Sequence, residues 1–102
     1  MGARKKYSTI LKSDAWQKVR QQILKRDNYK CVLCSEMLNL EVHHIYYSVN
    51  GVRIVGKEQD YKNCLVTLCR EDHQKAHLLT NHVFNPNNPN KINFDEFKLR
   101  SL

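Results

Sequence analysis

The sequence predicts a small single domain of the α+β class, and three observations carry the prediction. Behind a Ser-Asp cap, Ala15, Trp16, Val19 and Ile23 recur at helical spacing. Two short apolar runs, Leu38 to Ile45 and Leu65 to Leu68, have the length of strands, the first with partial alternation. The second run opens into Cys69-Arg70-Glu71-Asp72-His73-Gln74-Lys75-Ala76-His77, whose Glu71 and Asp72 suit the first turn of a helix. The order is therefore helix, cysteine knuckle, strand, loop, strand, helix. At 102 residues this is one domain with a small core, marginal without an added staple.

Taken in order, residues 1–12 read as a basic N-terminal arm. Ser13 or Asp14 caps the first helix, which runs to about Arg26 and is anchored to the domain by Trp16. Lys18, Arg20, Gln21, Lys25 and Arg26 lie mostly on its other faces. Asp27-Asn28 ends it, and Tyr29-Lys30 leads into the knuckle Cys31-Val32-Leu33-Cys34. Beyond the first strand, Asn50-Gly51 between Val49 and Val52 is a two-residue hairpin signal, and Lys57 to Lys62 is polar loop. The closing helix is expected from about Arg70 to Thr80, so that residues 13–80 form the domain. Asn85-Pro86-Asn87-Asn88-Pro89-Asn90 breaks regular structure. Ile92, Phe94, Phe97 and Leu99 mark residues 81–102 as a C-terminal extension packed back on the domain.

The net charge of +7 is unevenly placed. Residues 1–30 hold nine Lys/Arg against Asp14 and Asp27, whereas residues 31–102 balance eight against eight. An excess confined to the first third suits a phosphate-binding surface, although a solvated tail and helix face would look the same. No apolar run approaches a membrane span, and Met1-Gly2-Ala3-Arg4-Lys5-Lys6 leads into no hydrophobic signal region. A cytoplasmic protein is expected, in which four cysteines are metal ligands or free thiols before they are disulfides.

Cys31, Cys34 and Cys69 offer three thiolates, and the position three after Cys69 is Asp72. A carboxylate ligates zinc, so Cys31, Cys34, Cys69 and Asp72 form a chemically sound structural zinc site. Cys64 is the other choice for the fourth ligand, and buried thiols without metal are the bland alternative. A second site is suggested by the histidines. His73 and His77 stand at i and i+4 on one helix face, and His43 and His44 are adjacent on a strand, pointing to opposite sides. One of that pair can join His73 and His77 around a cation while the other serves as a general base. Such an arrangement outlines phosphodiester hydrolysis. His82 falls outside the pattern.

The run Cys31-x-x-Cys34, then Val42-His43-His44-Ile45, then Leu65-Val66-Thr67-Leu68-Cys69 with His73-x-x-x-His77, resembles the HNH endonuclease family. The site of that family is a ββα-metal finger, and the resemblance covers roughly Trp16 to Leu79. It implies His43 as ligand of a divalent catalytic ion (Mg, Mn, Ni or Zn), His44 as general base and His73 as ligand from the closing helix. His77 matches a further histidine that ligates metal or contacts the scissile phosphate in some branches. Two positions depart from the pattern. Asp72 stands where many members have the last zinc cysteine. The Asn expected five before Cys69 is Cys64, with Asn63 one step earlier.

The resemblance implies a metal-dependent DNA endonuclease acting on double-stranded DNA, with Arg4, Lys5, Lys6, Lys18, Arg20, Lys25 and Arg26 holding neighbouring phosphates. Such contacts position a duplex without reading its sequence. The competing expectations are a zinc-stabilised DNA-binding module with a vestigial nuclease site and, from the charge asymmetry least favoured, a protein-interaction zinc domain. About twenty residues follow the finger, little room for a specificity domain. A phage or mobile-element enzyme is expected, with a homodimer or a partner protein supplying specificity in a bacterial or phage-infected cell.

Overall fold

The computed structural model describes residues 13–102 of the chain. Helix α1 (Asp14–Arg26) starts where the extended Ser13 turns its hydroxyl onto the Trp16 N–H at 3.1 Å, which satisfies one of the free donors of the first turn. Its buried face is Trp16, Val19, Ile23 and Leu24. Ala15, expected in that stripe, is exposed. It sits about 100° round the axis from Trp16, at one edge of the apolar face, and Leu24 extends that face at the opposite edge.

The chain leaves α1 through Asn28 and Tyr29, both left-handed (φ 59° and 55°), and enters the knuckle. Strand β1 (Leu40–His44) pairs antiparallel with β4 (Leu65–Cys69), Leu40 opposite Cys69 and His44 opposite Leu65. β1 is shorter than the apolar run suggested, because Asn39 is also left-handed (φ 55°) and Leu38 is turned out to solvent. Between them, β2 (Ser48–Val49) and β3 (Val52–Arg53) form the expected hairpin. Asn50 and Gly51 at its tip have φ 50° and 80°, the pair of positive values that a type I′ turn demands. Two single 3-10 turns, Glu58–Asp60 and Lys62–Cys64, carry the chain to β4.

All five residues of β4 are buried, since α1 covers one side and α2 (Arg70–Leu78) the other. The core accordingly has two parts. Trp16, Val19, Ile23 and Leu65 pack under α1; Val66, Leu68, Ala76, Phe84 and Ile92 pack under α2. Helix α2 stops two residues before Thr80. Its last carbonyls are taken over by Asn85, whose amide donates to His77 O at 3.2 Å and Leu79 O at 3.0 Å. Asn85 is thus a cap for α2 and is buried for that reason, while the buried Asn88 donates to His82 O at 2.8 Å and fastens the turn that follows. Helix α3 (Phe94–Arg100) follows, capped by Asn93. Phe94 and Phe97 pack against the core, but Leu99, expected to join them, is 66% exposed on the far face of this short helix.

Arg26 and Asp27 tie these layers together. Asp27 accepts the Thr67 N–H of β4 at 2.9 Å and pairs with Arg26 at 2.8 Å. The same guanidinium donates to Lys62 O and Leu65 O at 2.9 and 2.8 Å and lies 3.4 Å from the centre of the Phe94 ring.

Candidate metal centres

Cys31 and Cys34 come from the knuckle, whose turn is closed by Ser35 N–H to Cys31 O at 2.9 Å and by Cys31 N–H to Glu36 O at 2.8 Å. Cys69 ends β4 and caps α2, and Asp72 stands on the first turn of that helix. The four ligand atoms lie within 4.8 Å of one another. Cys34 Sγ and Cys69 Sγ are 3.7 Å apart, and Asp72 Oδ2 is 3.2 Å from Cys31 Sγ and 3.4 Å from Cys69 Sγ. A tetrahedron with zinc–sulfur bonds of about 2.3 Å needs sulfurs about 3.8 Å apart, so the set has the right size for a closed site. Cys64 does not belong to it. It precedes the other end of β4, with its sulfur 3.6 Å from Asn63 Oδ1.

All four cysteines are free thiols. A backbone hydrogen bond at Glu36 favours the Cys34 thiolate, but Asp72, burial and the other two sulfurs outweigh it and push the thiol up to about 12. Burial also raises Cys69. Burial opposes ionisation of Asp72, yet the three thiols and Lys75 hold its carboxyl below the ordinary value. A bound cation would remove the obstacle that keeps the Cys34 and Cys69 thiols protonated.

The second group is His43, His73 and His77, whose ring nitrogens also fall within 4.8 Å of one another. The partners of these rings assign their tautomers. The Phe84 carbonyl, 2.6 Å from His43 Nε2, only accepts, so Nε2 carries the proton. His43 Nδ1 then bears the lone pair; it is buried and has no hydrogen-bond partner among the described residues. Likewise Glu41 Oε1 accepts from His73 Nδ1 at 2.6 Å, which leaves the lone pair on His73 Nε2, 3.2 Å from His77 Nε2. His43 and His73 thus each give one ring N–H to a carbonyl or carboxylate and keep the other nitrogen for a ligand, as metal-binding histidines do. Burial and the neighbouring His73 hold His77 below its ordinary value. Burial drives His43 down to about 3, against the Phe84 carbonyl and with the other imidazoles, so it stays neutral and able to ligate well into acid.

His44 points to the other side of β1. Its ring lies between Trp16 and Tyr47, at 5.2 and 5.7 Å, and Nε2 is 2.9 Å from Glu58 Oε2. Burial lowers its affinity for protons, and the Glu58 carboxylate restores part of it. A cleft of about 430 Å³ opens here, lined by Trp16, Arg20, Glu41, Val42, His44, Tyr47, His73 and His77. It thus holds both the outer edge of the three-histidine group and the separate imidazole.

The four histidines expected to matter are therefore together, with His82 apart from them. Of the basic residues, Arg20 is half-buried at the cleft, while Lys18 and Lys25 are exposed on α1. Arg26, expected to hold a phosphate, has its guanidinium engaged within the fold by Asp27, two carbonyls and Phe94. Arg4, Lys5 and Lys6 lie outside the described residues. Asn63 donates to Asp95 Oδ2 at 3.3 Å, fastening the loop before β4 to α3. Two carboxylates of the site are not among the residues the sequence singled out. Glu41 had a signal, since it stands two before His43 on the same strand face; Glu58 had none.

Comparison with family models, with curated proteins and with solved structures returned no match.

Proposed function

We propose that the chain is a metal-dependent DNA endonuclease of the HNH type, in which His43, His73 and His77 hold a divalent ion and His44 is the general base. The observation that carries this reading is the division of labour among four imidazoles. Three bring their ring nitrogens together, one nitrogen being buried with no hydrogen-bond partner among the described residues, and the fourth, bonded to a carboxylate, lines the same cleft. Binding alone requires none of this. A divalent ion in the three-histidine group would draw charge from a bound phosphate and ease departure of the leaving oxygen.

The protein's own part can be derived from its side chains. Phe84 O and Glu41 keep the ligand nitrogens turned inward. Arg20 is the one cation among the residues lining the cleft and is placed to bind the phosphate. His44 takes a proton from water as the water oxygen bonds to phosphorus. The opposite phosphorus–oxygen bond then breaks, and the leaving oxygen takes a proton from solvent. Cys31, Cys34, Cys69 and Asp72 would hold a zinc that serves the fold by tying the knuckle to the start of α2.

The test is conversion of supercoiled plasmid with Mg, Mn, Ni or Zn, with and without EDTA. Cleavage that needs added metal and stops with EDTA is the expected result. DNA binding without cleavage under every metal would refute the reading and leave a zinc-stabilised binding module.

A further inference from the structure

Glu58 is 4% exposed, in a polar loop where an acid would ordinarily face water. Its Oε1 accepts the Gly56 N–H at 3.0 Å, and its Oε2 lies 2.9 Å from His44 Nε2. The His44 ring is nearly parallel to both Trp16 and Tyr47, inclined by 18° and 17°. Stacked rings fix the plane of an imidazole but are indifferent to a half-turn of it, which would exchange nitrogens for carbons. The contact with Glu58 removes that ambiguity. A carboxylate only accepts, so the proton of the neutral ring sits on Nε2 and the lone pair on Nδ1.

We propose that Glu58 is a positioning residue that holds His44 in the Nε2–H tautomer, making Nδ1 the nitrogen that removes a proton from water. The proposal rests on the hydrolytic reading above. In the step, Nδ1 gains the water proton, the hydroxyl oxygen bonds to phosphorus, and the opposite phosphorus–oxygen bond breaks, its oxygen taking a proton from solvent. The ring becomes an imidazolium beside the Glu58 carboxylate and later returns its extra proton to solvent.

The geometry makes one substitution unusually informative. Gly56 N–H can only donate, so in Glu58→Gln the amide oxygen must stay on Gly56 and the NH2 must face His44. An NH2 group asks Nε2 to accept, which moves the ring proton to Nδ1 and abolishes the base. Glu58→Ala removes the acceptor without putting a donor in its place, so the Nε2–H tautomer is no longer held from this side. Gln should therefore be worse than Ala, the reverse of what a merely structural glutamate would give.

The experiment uses the full chain as purified, labelled with 15N-histidine, with melting curves to establish that each variant is folded. His44 should be Nε2–H in the wild type, Nδ1–H in Glu58→Gln and mixed in Glu58→Ala. Plasmid cleavage should lose about a hundred- to ten-thousand-fold in kcat with little change in KM for Glu58→Gln, and less for Glu58→Ala. Wild-type His44 protonated at Nδ1, or an unmixed Nε2–H tautomer in Glu58→Ala, overturns the proposal whether or not the Gln variant folds. So does a folded Glu58→Gln that cleaves at the wild-type rate. If the wild type does not cleave, the hydrolytic reading falls by itself and the tautomers still decide the role of Glu58.

Discussion

One step along a strand moves a side chain to the opposite face, and His43 and His44 are separated by that step. His43 meets α2 and the Phe84 carbonyl; His44 meets α1 and the loop at Glu58. Their substitutions should consequently fail in different ways. His44→Ala should keep metal content and DNA binding while cleavage falls on the order of a hundred- to ten-thousand-fold, the usual worth of a positioned base. His43→Ala and His73→Ala should weaken the affinity for the catalytic ion, and excess metal should partly restore the rate. His77→Ala should resemble His73→Ala, because its Nε2 is 3.2 Å from His73 Nε2 and so belongs to the ligand group. Cleavage rate against metal concentration for the four variants checks this; a His44→Ala rescued by metal would reverse the assignment. The histidines themselves were legible, since adjacency on a strand and i, i+4 on a helix are periodic signals. The groups that orient them were mostly not. Phe84 contributes a backbone carbonyl, which carries no sequence signature, and Glu58 reaches His44 from a loop with no period to betray it.

At the scale of elements, hydrophobic periodicity and turn chemistry located α1, α2, both main strands and the hairpin at Asn50-Gly51, whereas α3 was read only as a packed C-terminal segment. The misjudged boundaries all follow from local backbone or capping events. Asn39 in the left-handed region delays β1, and the amide of Asn85 takes the last carbonyls of α2. The knuckle is the element whose role is most testable. Its cysteines meet Asp72 only when β4 and α2 are in place, so a cation there links segments about 40 residues apart in sequence. One zinc per chain is expected in dialysed protein by elemental analysis. It should persist in His43→Ala and in Cys64→Ser, whose sulfur lies elsewhere, and be lost together with the fold in Cys31→Ala. A zinc-free preparation that still melts cooperatively would contradict this.

Over the whole molecule, four imidazoles, the buried His43 and His44, the half-buried His82 and the more exposed His77, have their protonation suppressed, chiefly by lost hydration. Each native value lies below the unfolded one of 6.5, so the unfolded chain binds protons first as pH falls. The histidine contribution to the stability of metal-free protein is therefore full above pH 6.5 and lost as pH drops towards 3, where His43 finally titrates. His43 alone would contribute on the order of 4 kcal/mol to that loss, since each tenfold difference in proton affinity between the two states is worth about 1.4 kcal/mol. Urea unfolding at a series of pH values checks it. His43→Gln should flatten the acid dependence, and an unchanged dependence would show that His43 is not buried neutral.

The charge distribution gives the remaining prediction, because the described part of α1 splits its basic residues between two tasks. Lys18 and Lys25 are exposed, whereas the Arg26 guanidinium, 24% exposed, is held by Asp27, two carbonyls and the Phe94 ring. A phosphate-bound lysine releases counterions, so each contact adds about 0.9 to the slope of log affinity against log salt. Lys18→Ala with Lys25→Ala should lower that slope by up to about two, and the change of Arg4, Lys5 and Lys6 to Ala by up to about three. Arg26→Ala should leave the slope unaltered and instead cost on the order of 2 kcal/mol of stability, by stranding the Asp27 carboxylate and two carbonyls. Measuring affinity across salt and urea stability on the same variants separates the two roles. A slope that stays constant in the arm variant would show that residues 4–6 do not touch DNA. A slope that falls with Arg26→Ala would mean that this arginine leaves Asp27 to bind phosphate.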